Sequence, residues 1–191
     1  MLRILDLFFS IIGLIILSPF FLVIAIWIKA DSNGPVFYTQ KRVGKNNIDF
    51  ELYKFRSMRL NADKQGLLTV GGRDPRITNS GYFIRKYKLD ELPQLFNVLI
   101  GNMSLVGPRP EVRKYVNYYN IKQLEVLNVR PGITDLASIK YKNENEVLGN
   151  SFDPEKTYIE EIMPHKLELN RGFINDPSVI NYFTIIFRTI F

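Results

Sequence analysis

The chain has 191 residues, enough for one domain with a hydrophobic core, and a formal net charge of +6 from 25 Lys and Arg against 19 Asp and Glu. It contains no cysteine, which excludes disulfides, thiolate metal sites and a cysteine nucleophile, and its single His165 excludes a histidine-rich zinc site. The excess of positive charge suits an anionic partner such as phosphate, nucleic acid or an acidic lipid surface.

An apolar segment without charged side chains runs from Leu7 to Ile28. As one straight helix it would rise about 33 Å, just enough for a hydrocarbon core of about 30 Å. Ser18-Pro19 interrupts it, because proline lacks a backbone donor, while a serine hydroxyl can bond the freed carbonyl. The residues alone allow two readings: a kinked helix that crosses the bilayer, or a broken helix that enters and leaves on the same side.

The charges that flank the apolar segment do not orient it. Arg3 and Asp6 precede it, and Lys29 and Asp31 follow it, so neither end has an excess of positive charge. A cleaved signal peptide and a buried core helix both fit less well, because the segment is long and apolar on all sides. The sequence therefore predicts membrane association for residues 1–30, followed by a catalytic domain over residues 31–191.

The remainder of the chain predicts an α+β fold in which helices surround a small irregular sheet. Short strands are predicted over 36–40 and 48–55, separated by a turn over 44–47, and helices over 90–100 and 111–129. A last helix over 178–191 follows Asp176-Pro177, which is predicted as its N-cap and first position. This helix is rich in large apolar residues, so it either lies at the membrane interface or packs on the core.

Two adjacent carboxylates, Asp90 and Glu91, fall at the predicted start of a helix. Free amide groups and the positive end of the helix dipole also make such a place receptive to phosphate. A carboxylate here can hold Mg²⁺ beside nucleotide phosphates, or act as a nucleophile that forms an acyl phosphate. Ordinary capping is the alternative, since acidic residues are common in first helical turns.

Basic residues next to glycine and proline turns favour the catalytic interpretation. Guanidinium groups match phosphate oxygens, and glycine lets a backbone approach them closely. The combination with a lipid-facing segment predicts a pyrophosphate-binding site at a membrane surface. These basic residues are Arg73, Arg76, Arg85, Lys86 and Lys88 before the two carboxylates, Arg109 after them, and Lys54, Arg56 and Arg130 elsewhere in the chain.

Six strings in a fixed order resemble the bacterial sugar transferase family, the monotopic phosphoglycosyl transferases. The similarity extends over nearly the whole chain, and six ordered strings are far more specific than any one of them. The strings are Gly34-Pro35-Val36-Phe37-Tyr38, Tyr53-Lys54-Phe55-Arg56-Ser57-Met58, Asp74-Pro75-Arg76-Ile77-Thr78, Leu89-Asp90-Glu91-Leu92-Pro93-Gln94-Leu95, Met103-Ser104-Leu105-Val106-Gly107-Pro108-Arg109-Pro110 and Arg130-Pro131-Gly132-Ile133-Thr134.

The resemblance implies transfer of a sugar-1-phosphate from a UDP-sugar to polyprenyl phosphate, usually undecaprenyl phosphate, with release of UMP. It implies a re-entrant helix broken at Ser18-Pro19 and a site on the cytoplasmic face of the bacterial inner membrane. Asp90 would be the nucleophile and a contact of Mg²⁺, and Glu91 would assist proton transfer or charge placement. By the same resemblance, Lys54, Arg56, Arg85, Arg109 and Arg130 would bind donor or acceptor phosphates.

Some stretches depart from the usual family pattern and leave the sugar unassigned. They are Lys45-Asn46-Asn47, Tyr87-Lys88 and Asp135-Leu136-Ala137-Ser138. The expected partners are the UDP-sugar, the polyprenyl phosphate and membrane lipid, without nucleic acid, and a homodimer is compatible with the sequence. Two other functions stay open: a non-catalytic basic module that binds anionic lipid or nucleic acid, and hydrolysis of a nucleotide-sugar.

Overall fold

A computed structural model of the protein describes residues 2–70 and 74–190. Within these residues a long N-terminal helix precedes short helices and two small sheets, in agreement with the predicted α+β class. The helices are α1 Leu2–Asp31, α2 Asn79–Lys86, α3 Gln94–Ile100, α4 Arg113–Val116, α5 Leu136–Lys140, α6 Glu144–Gly149, α7 Pro154–Thr157, α8 Met163–Asn175 and α9 Val179–Ile190, and the strands are β1 Phe37–Val43, β2 Asp49–Phe55, β3 Ser104–Val106 and β4 Gly132–Thr134.

Helix α1 extends from Leu2 to Asp31 with Pro19 inside it, so Ser18-Pro19 does not end the helix, and the predicted re-entrant course stays a prediction. Proline has no N–H to donate to the carbonyl of Ile15, four residues earlier. The hydroxyl of Ser18 donates to that carbonyl instead, at 2.8 Å. The serine thus replaces the hydrogen bond that Pro19 removes, which lets the helix accommodate the proline.

Most of α1 is exposed apolar surface. It is the one helix in the described residues that is long and apolar enough to cross a membrane. Only 11% of the residues in its most apolar stretch are buried. A core helix of a soluble domain would be largely covered by other elements. This exposure supports membrane association. The buried positions lie toward the two ends: Asp6, Ser10, Ile24 and Ile28.

The N-terminal part of α1 is attached to the domain by a buried carboxylate. Asp6 is 2% exposed, and one of its oxygens accepts hydrogen bonds from the Ser104 hydroxyl, the Leu105 amide and the Tyr182 hydroxyl, each at 2.9 Å. A buried charge is tolerated when several donors replace its water. Asp6 therefore joins α1, β3 and α9.

The other end of α1 contacts the same domain. Asp31 accepts hydrogen bonds from the amide and hydroxyl of Ser80, at 2.9 and 2.8 Å, at the start of α2. Ile24 and Ile28 pack with Phe55 and Ile84 in a buried apolar cluster. Both ends of the long helix are therefore held by one domain.

The strands form two separate two-stranded sheets, not the single sheet that the sequence predicted. β1 and β2 pair antiparallel through a turn at 44–47, as predicted, although β1 is longer than expected. β3 and β4 pair in parallel, far apart along the chain. Glycine is required at this second contact, because a Cβ on Gly132 would lie 2.1 Å from the amide nitrogen of Gly107.

The two predicted internal helices differ in the structure. The segment predicted as one helix over 90–100 is a 3₁₀ turn, Leu89–Glu91, followed by α3 from Gln94. The helix predicted over 111–129 is wrong: only Arg113–Val116 is α-helical, and a 3₁₀ segment covers Gln123–Asn128. The backbone amide of Asn120 donates to the side-chain oxygen of Gln123, and the backbone amide of Gln123 donates to the side-chain oxygen of Asn120, both at 2.9 Å. These local bonds compete with the hydrogen bonds of a continuous helix.

The last helix, α9, has both a buried and an exposed apolar face. Tyr182 and Ile185 are buried against the domain, whereas Ile180, Phe183 and Phe187 are exposed. The hydroxyl of Ser178 accepts the Asn181 amide, so Ser178 caps the helix in place of the predicted Asp176-Pro177. The helix thus packs on the core and still presents apolar surface outward.

Replacing Tyr182 with Phe tests the attachment at Asp6. The variant leaves the buried carboxylate with two donors, and the lost bond to a charged group is expected to cost about 1.5–3 kcal/mol. For a chain of this size the unfolding temperature in detergent should fall by roughly 3–10 °C. Tyr118→Phe, at a tyrosine that is 56% exposed, is the matched control. Equal unfolding temperatures for the two variants would show that the Asp6–Tyr182 bond contributes nothing.

Candidate active site

Asp90 and Glu91 lie in the 3₁₀ turn between α2 and α3. Lys88 adopts a left-handed conformation with φ of 54°, which turns the chain sharply after α2. Leu89 and Leu92, on either side of the two carboxylates, pack against the cluster that includes Ile24 and Ile28 of α1. The carboxylates are therefore positioned directly beside the membrane-associated helix.

Glu91 is fully paired. Arg109 donates to both of its oxygens in a bidentate arrangement, with Nη1 3.1 Å from Oε2, and Lys54 Nζ lies 2.8 Å from Oε1. Burial alone would raise the pKa of Glu91, but Arg109 and Lys54 outweigh it and hold the pKa well below 4.5. Glu91 is thus an anion that holds two cations in place.

Asp90 is placed differently from its neighbour. It is 5% exposed, and its nearest cation is Lys54, with Nζ 4.0 Å from Oδ2. Within residues 2–70 and 74–190 no side chain donates a hydrogen bond to its carboxylate. Burial raises the pKa of Asp90 despite the opposing charge of Lys54. The carboxylate is therefore desolvated and free to contact a ligand.

Asp90 opens onto a cavity of about 450 Å³, within the range of small-molecule sites. Lys54, Arg85 and Arg109 line this cavity together with Asp90. Arg85 also donates to the hydroxyl of Thr69 at 2.9 Å. The charges of these three residues, which are among the five predicted from the sequence, act on Asp90, and their binding of phosphate stays a prediction.

Arg56 and Arg130 are placed elsewhere. Arg56 borders the cavity, but its guanidinium donates to the carbonyls of Ser32, at 2.7 Å, and Asn33, just after α1. Burial lowers the pKa of Arg56. Arg130 is exposed, donates to the Gly101 carbonyl at 2.9 Å, and does not contribute to the wall described for the cavity. The predicted phosphate-binding role of these two residues stays a prediction.

The segment that roofs the cavity, residues 60–69, is held by Arg76. Its guanidinium donates to the carbonyls of Ala62, Gly66 and Leu68 at 3.2, 2.6 and 2.7 Å. It also forms an ion pair with Asp74 at 2.6 Å. The arginine of the Asp74-Pro75-Arg76 string therefore supports the loop and also lines the cavity.

Sequence reasoning missed Asp135 as a positioning residue for the site. Asp135 is 2% exposed and accepts the Arg109 amide at 2.9 Å and the Asn170 side chain at 2.7 Å. It also caps α5 through the amide of Ser138. The only sequence signal was that the stretch starting at Asp135 departs from the family pattern. The contact with Arg109 depends on the parallel pairing of β3 and β4, which sequence patterns do not reveal.

Comparison with known proteins agrees with this geometry. The sequence profile described as "Bacterial sugar transferase" matches residues 1–191. The chain belongs to the bacterial sugar transferase family. The reactive turn, the arginine-bearing Gly107-Pro108-Arg109-Pro110 string and the apolar N-terminal helix all lie within the region that the family profile covers.

Three relatives from this family cover nearly the whole chain. An Aeromonas hydrophila protein, a UDP-N-acetylgalactosamine-undecaprenyl-phosphate N-acetylgalactosaminephosphotransferase, is 39% identical over 97% of the chain and 41% of its own length. UDP-glucose:undecaprenyl-phosphate glucose-1-phosphate transferases of Klebsiella pneumoniae and Escherichia coli are 37% and 33% identical, over 99% and 97% of the chain. These two are covered over 39% and 38% of their own length. The chain thus spans about two fifths of these relatives, and their named sugars differ.

Asp90→Asn is expected to stabilise the protein at neutral pH. Because the folded state raises the pKa of Asp90, the folded state binds more protons than the unfolded state, and stability falls as pH rises from 3.8 through the folded pKa. Asparagine removes this cost, so the unfolding temperature at pH 7 should rise by a few degrees, where 1 kcal/mol corresponds to about 2–4 °C. Thermal unfolding between pH 4 and pH 8 measures the difference, which should shrink toward pH 4.

Glu91→Gln is the contrasting variant in the same turn. It leaves the largely buried Lys54 and the partly exposed Arg109, whose side chain is 35% exposed, without their carboxylate, which is expected to cost about 1.5–3 kcal/mol. The two substitutions, each a carboxylate to its amide, should therefore change the unfolding temperature in opposite directions. A lower unfolding temperature for both variants at pH 7 would contradict the assignment of Asp90 as the desolvated carboxylate.

Proposed function

We propose that the protein transfers a sugar-1-phosphate from a UDP-sugar to undecaprenyl phosphate or another polyprenyl phosphate and releases UMP. The observation that carries the proposal is the contrast between two adjacent carboxylates. Glu91 is fully paired, while Asp90 accepts no hydrogen bond from a described side chain, lies 4.0 Å from Lys54 and opens onto a cavity lined by Lys54, Arg85 and Arg109. The names of the family relatives, which include undecaprenyl-phosphate sugar transferases, support the same reaction. It would be the first membrane step of glycan assembly.

The proposed reaction has two displacements at phosphorus. In the first, an oxygen of Asp90 bonds to the sugar-bearing phosphorus and the bond to UMP breaks, so that UMP leaves with the electron pair. In the second, an oxygen of the polyprenyl phosphate bonds to the same phosphorus and the carboxylate of Asp90 leaves. The covalent intermediate lets a water-soluble donor and a lipid acceptor react in turn at one site.

The cations around Asp90 have distinct tasks in this proposal. Arg85 and Lys54 line the cavity and would neutralise charge on the phosphoryl oxygens as it shifts toward the leaving group. Glu91 keeps Lys54 and Arg109 in position through its two oxygens. We therefore assign Glu91 to charge placement, because both of its oxygens are occupied and its pKa is low.

A Mg²⁺ ion fits the residues present only if the substrate supplies most of its ligands. The described residues contain no cluster of three or more His, Cys, Asp or Glu suited to a metal. Mg²⁺ is commonly held by one or two carboxylates together with substrate phosphates. The Asp90 carboxylate, which has no hydrogen-bond donor in the described structure, would hold the ion, and Glu91 is already occupied. When bound, Mg²⁺ would neutralise phosphate charge.

The proposed membrane arrangement is a re-entrant one. Arg3 donates to the carbonyl of Val98 at 2.8 Å, and Asp31 accepts from Ser80. A helix that crossed the bilayer would place one of these ends on the side opposite to the domain. Contacts of both ends with one domain support entry and exit on the same side, and the proposal requires the continuous helix to bend at Pro19, near the deepest point.

The surroundings of the site support the same placement. The exposed apolar face of α9, formed by Ile180, Phe183 and Phe187, continues the apolar surface of α1, because the rings of Phe9 and Phe183 lie 6.0 Å apart. We propose that α9 lies at the membrane interface. UDP-sugars are cytoplasmic, so the domain would face the cytoplasm at the bacterial inner membrane.

Release of UMP tests the proposed reaction. Detergent-solubilised protein with Mg²⁺, undecaprenyl phosphate and a panel of UDP-sugars should release UMP with at least one donor. Asp90→Asn should reduce the rate by at least about 10³-fold, because it removes the nucleophile. Asp49→Asn, at a surface carboxylate paired with Arg113, is the matched control and should retain activity. UMP release that needs no lipid phosphate would indicate hydrolysis, and no release with any donor would defeat the proposal.

Cysteine labelling tests the re-entrant arrangement, since the chain has no cysteine of its own. A single cysteine inserted between Met1 and Leu2 and one at the exposed Asn33 should both react with a membrane-impermeant maleimide in inside-out vesicles, and neither should react in sealed right-side-out vesicles. A cysteine at Phe152, which is fully exposed on the domain, reports which side the domain occupies. Labelling of the first two positions from opposite sides would rule out the arrangement.

A further inference from the structure

The cavity continues past Asp90 into a second lobe, which we define by Tyr119, Glu144, Tyr158, Lys166 and Asn170. These residues line the same cavity as Asp90 but belong to the C-terminal half of the domain. The proposed reaction at phosphorus uses none of them. Apolar side chains of the largest core cluster, among them Leu148 and Met163, complete the wall.

A series of polar contacts connects the phosphate end of the cavity to the second lobe. Arg42 lines the cavity together with Lys54 and pairs with Glu111 at 3.3 Å. The Tyr158 hydroxyl donates to the other oxygen of Glu111. Lys166 Nζ then lies 5.4 Å from the centre of the Tyr158 ring. Side-chain contacts therefore connect the second lobe to the part of the cavity that contains Lys54 and Asp90.

The second lobe differs from the phosphate end in its charge. Lys166 Nζ forms an ion pair with Glu144 at 2.7 Å, and their side chains are 14% and 23% exposed. The two charges compensate each other, so this pair adds hydrogen-bond donors and acceptors to the lobe without adding net charge. Paired charges, amides and tyrosine rings suit a neutral group with hydroxyls or amides, and the phosphates would stay beside Lys54, Arg85 and Arg109.

Asn170 adds an acceptor whose orientation is determined. Its Nδ2 donates to Asp135 Oδ2 at 2.7 Å, and the same oxygen accepts the Arg109 amide. Because a carboxylate oxygen accepts hydrogen bonds, the Asn170 atom that faces it must be the NH₂ group and not the carbonyl oxygen. The opposite atom, Oδ1, is buried and has no hydrogen-bond partner in the described structure. A buried acceptor without a donor costs about 1–3 kcal/mol. Asn170 thus places an unsatisfied polar group in the wall of the cavity.

The geometry points to the second lobe as the recognition site for the neutral end of the nucleoside diphosphate sugar, with Glu144 and Lys166 as residues that determine specificity. This inference rests on the proposed function. The neutral end is either the sugar or the uridine, since both present hydroxyl and amide groups next to the diphosphate. The ligand chemistry is the same in both cases, and the experiment separates them.

The test compares two lobe variants with matched surface variants. Glu144→Gln and Lys166→Met each break the ion pair in the lobe. Glu155→Gln and Lys114→Met break a Lys–Glu pair in the same half of the domain whose side chains are 47% and 48% exposed and outside the cavity wall. The lobe variants should raise KM for the preferred UDP-sugar about tenfold, which corresponds to about 1.4 kcal/mol, with kcat within about twofold. The surface variants should leave both parameters unchanged.

The pattern across donors identifies the bound group. If the lobe holds the sugar, the ranking of KM among UDP-glucose, UDP-galactose and UDP-N-acetylgalactosamine changes, while inhibition by UMP stays the same. If it holds the uridine, KM rises equally for all donors and inhibition by UMP weakens in parallel. Unchanged KM for every donor together with unchanged inhibition by UMP overturns the inference.

Two further measurements keep the test decisive. Should a lobe variant unfold more than about 5 °C below the wild type, Tyr119→Phe replaces it, because that change removes only one hydroxyl from the lobe. Binding of UMP and of UDP-sugar, measured by calorimetry, reports on the lobe without turnover. If the wild type binds UDP-sugar but releases no UMP, the proposed reaction fails, and the binding measurement still tests the recognition site. In that case, lobe variants that bind UDP-sugar as tightly as the wild type overturn the inference.

Discussion

The three-way pairing of Glu91 with Lys54 and Arg109 is the contact on which the rest of the site depends. Each member comes from a different part of the chain: the 3₁₀ turn, β2 and the loop after β3. All three side chains are removed from much of their water, so separating any one of them leaves uncompensated charge. The pairing thus fixes the relative position of three segments and leaves Asp90 as the carboxylate available for chemistry.

The position of the Asp90–Glu91 turn beside the apolar helix follows from the same packing. Leu89 and Leu92 flank the carboxylates and contact the cluster that holds Ile24 and Ile28 of α1. The depth of Asp90 relative to the apolar helix is therefore set by the fold. The proposed reaction between a soluble donor and a lipid acceptor would use such a fixed depth, because a lipid phosphate is confined to the headgroup layer.

Local patterns in the sequence predicted the local features. The long apolar helix, the β1–β2 hairpin and the placement of Asp90 and Glu91 in one turn follow from hydrophobic runs, turn residues and adjacency along the chain. The continuous helix at Ser18-Pro19 did not follow, because it depends on where one hydroxyl points.

Features that depend on tertiary contacts were not predictable in this way. Arg56 and Arg109 look alike in sequence, since both follow residues typical of a buried or rigid segment. One guanidinium faces carbonyls just after α1 and the other faces Glu91, and only the folded arrangement separates these roles. The second sheet likewise pairs β3 with β4, which lie far apart along the chain, so no local pattern of apolar residues predicts the pairing. The helix predicted over 111–129 failed because Asn120 and Gln123 bond each other's backbone.

One arginine holds the segment that roofs the cavity. Three carbonyls of the roof and the Asp74 carboxylate share the guanidinium of Arg76. A substitution at Arg76 would therefore remove all three supports of segment 60–69 at once. Because Arg76 also lines the cavity, the shape of this wall and the position of its loop depend on a single side chain.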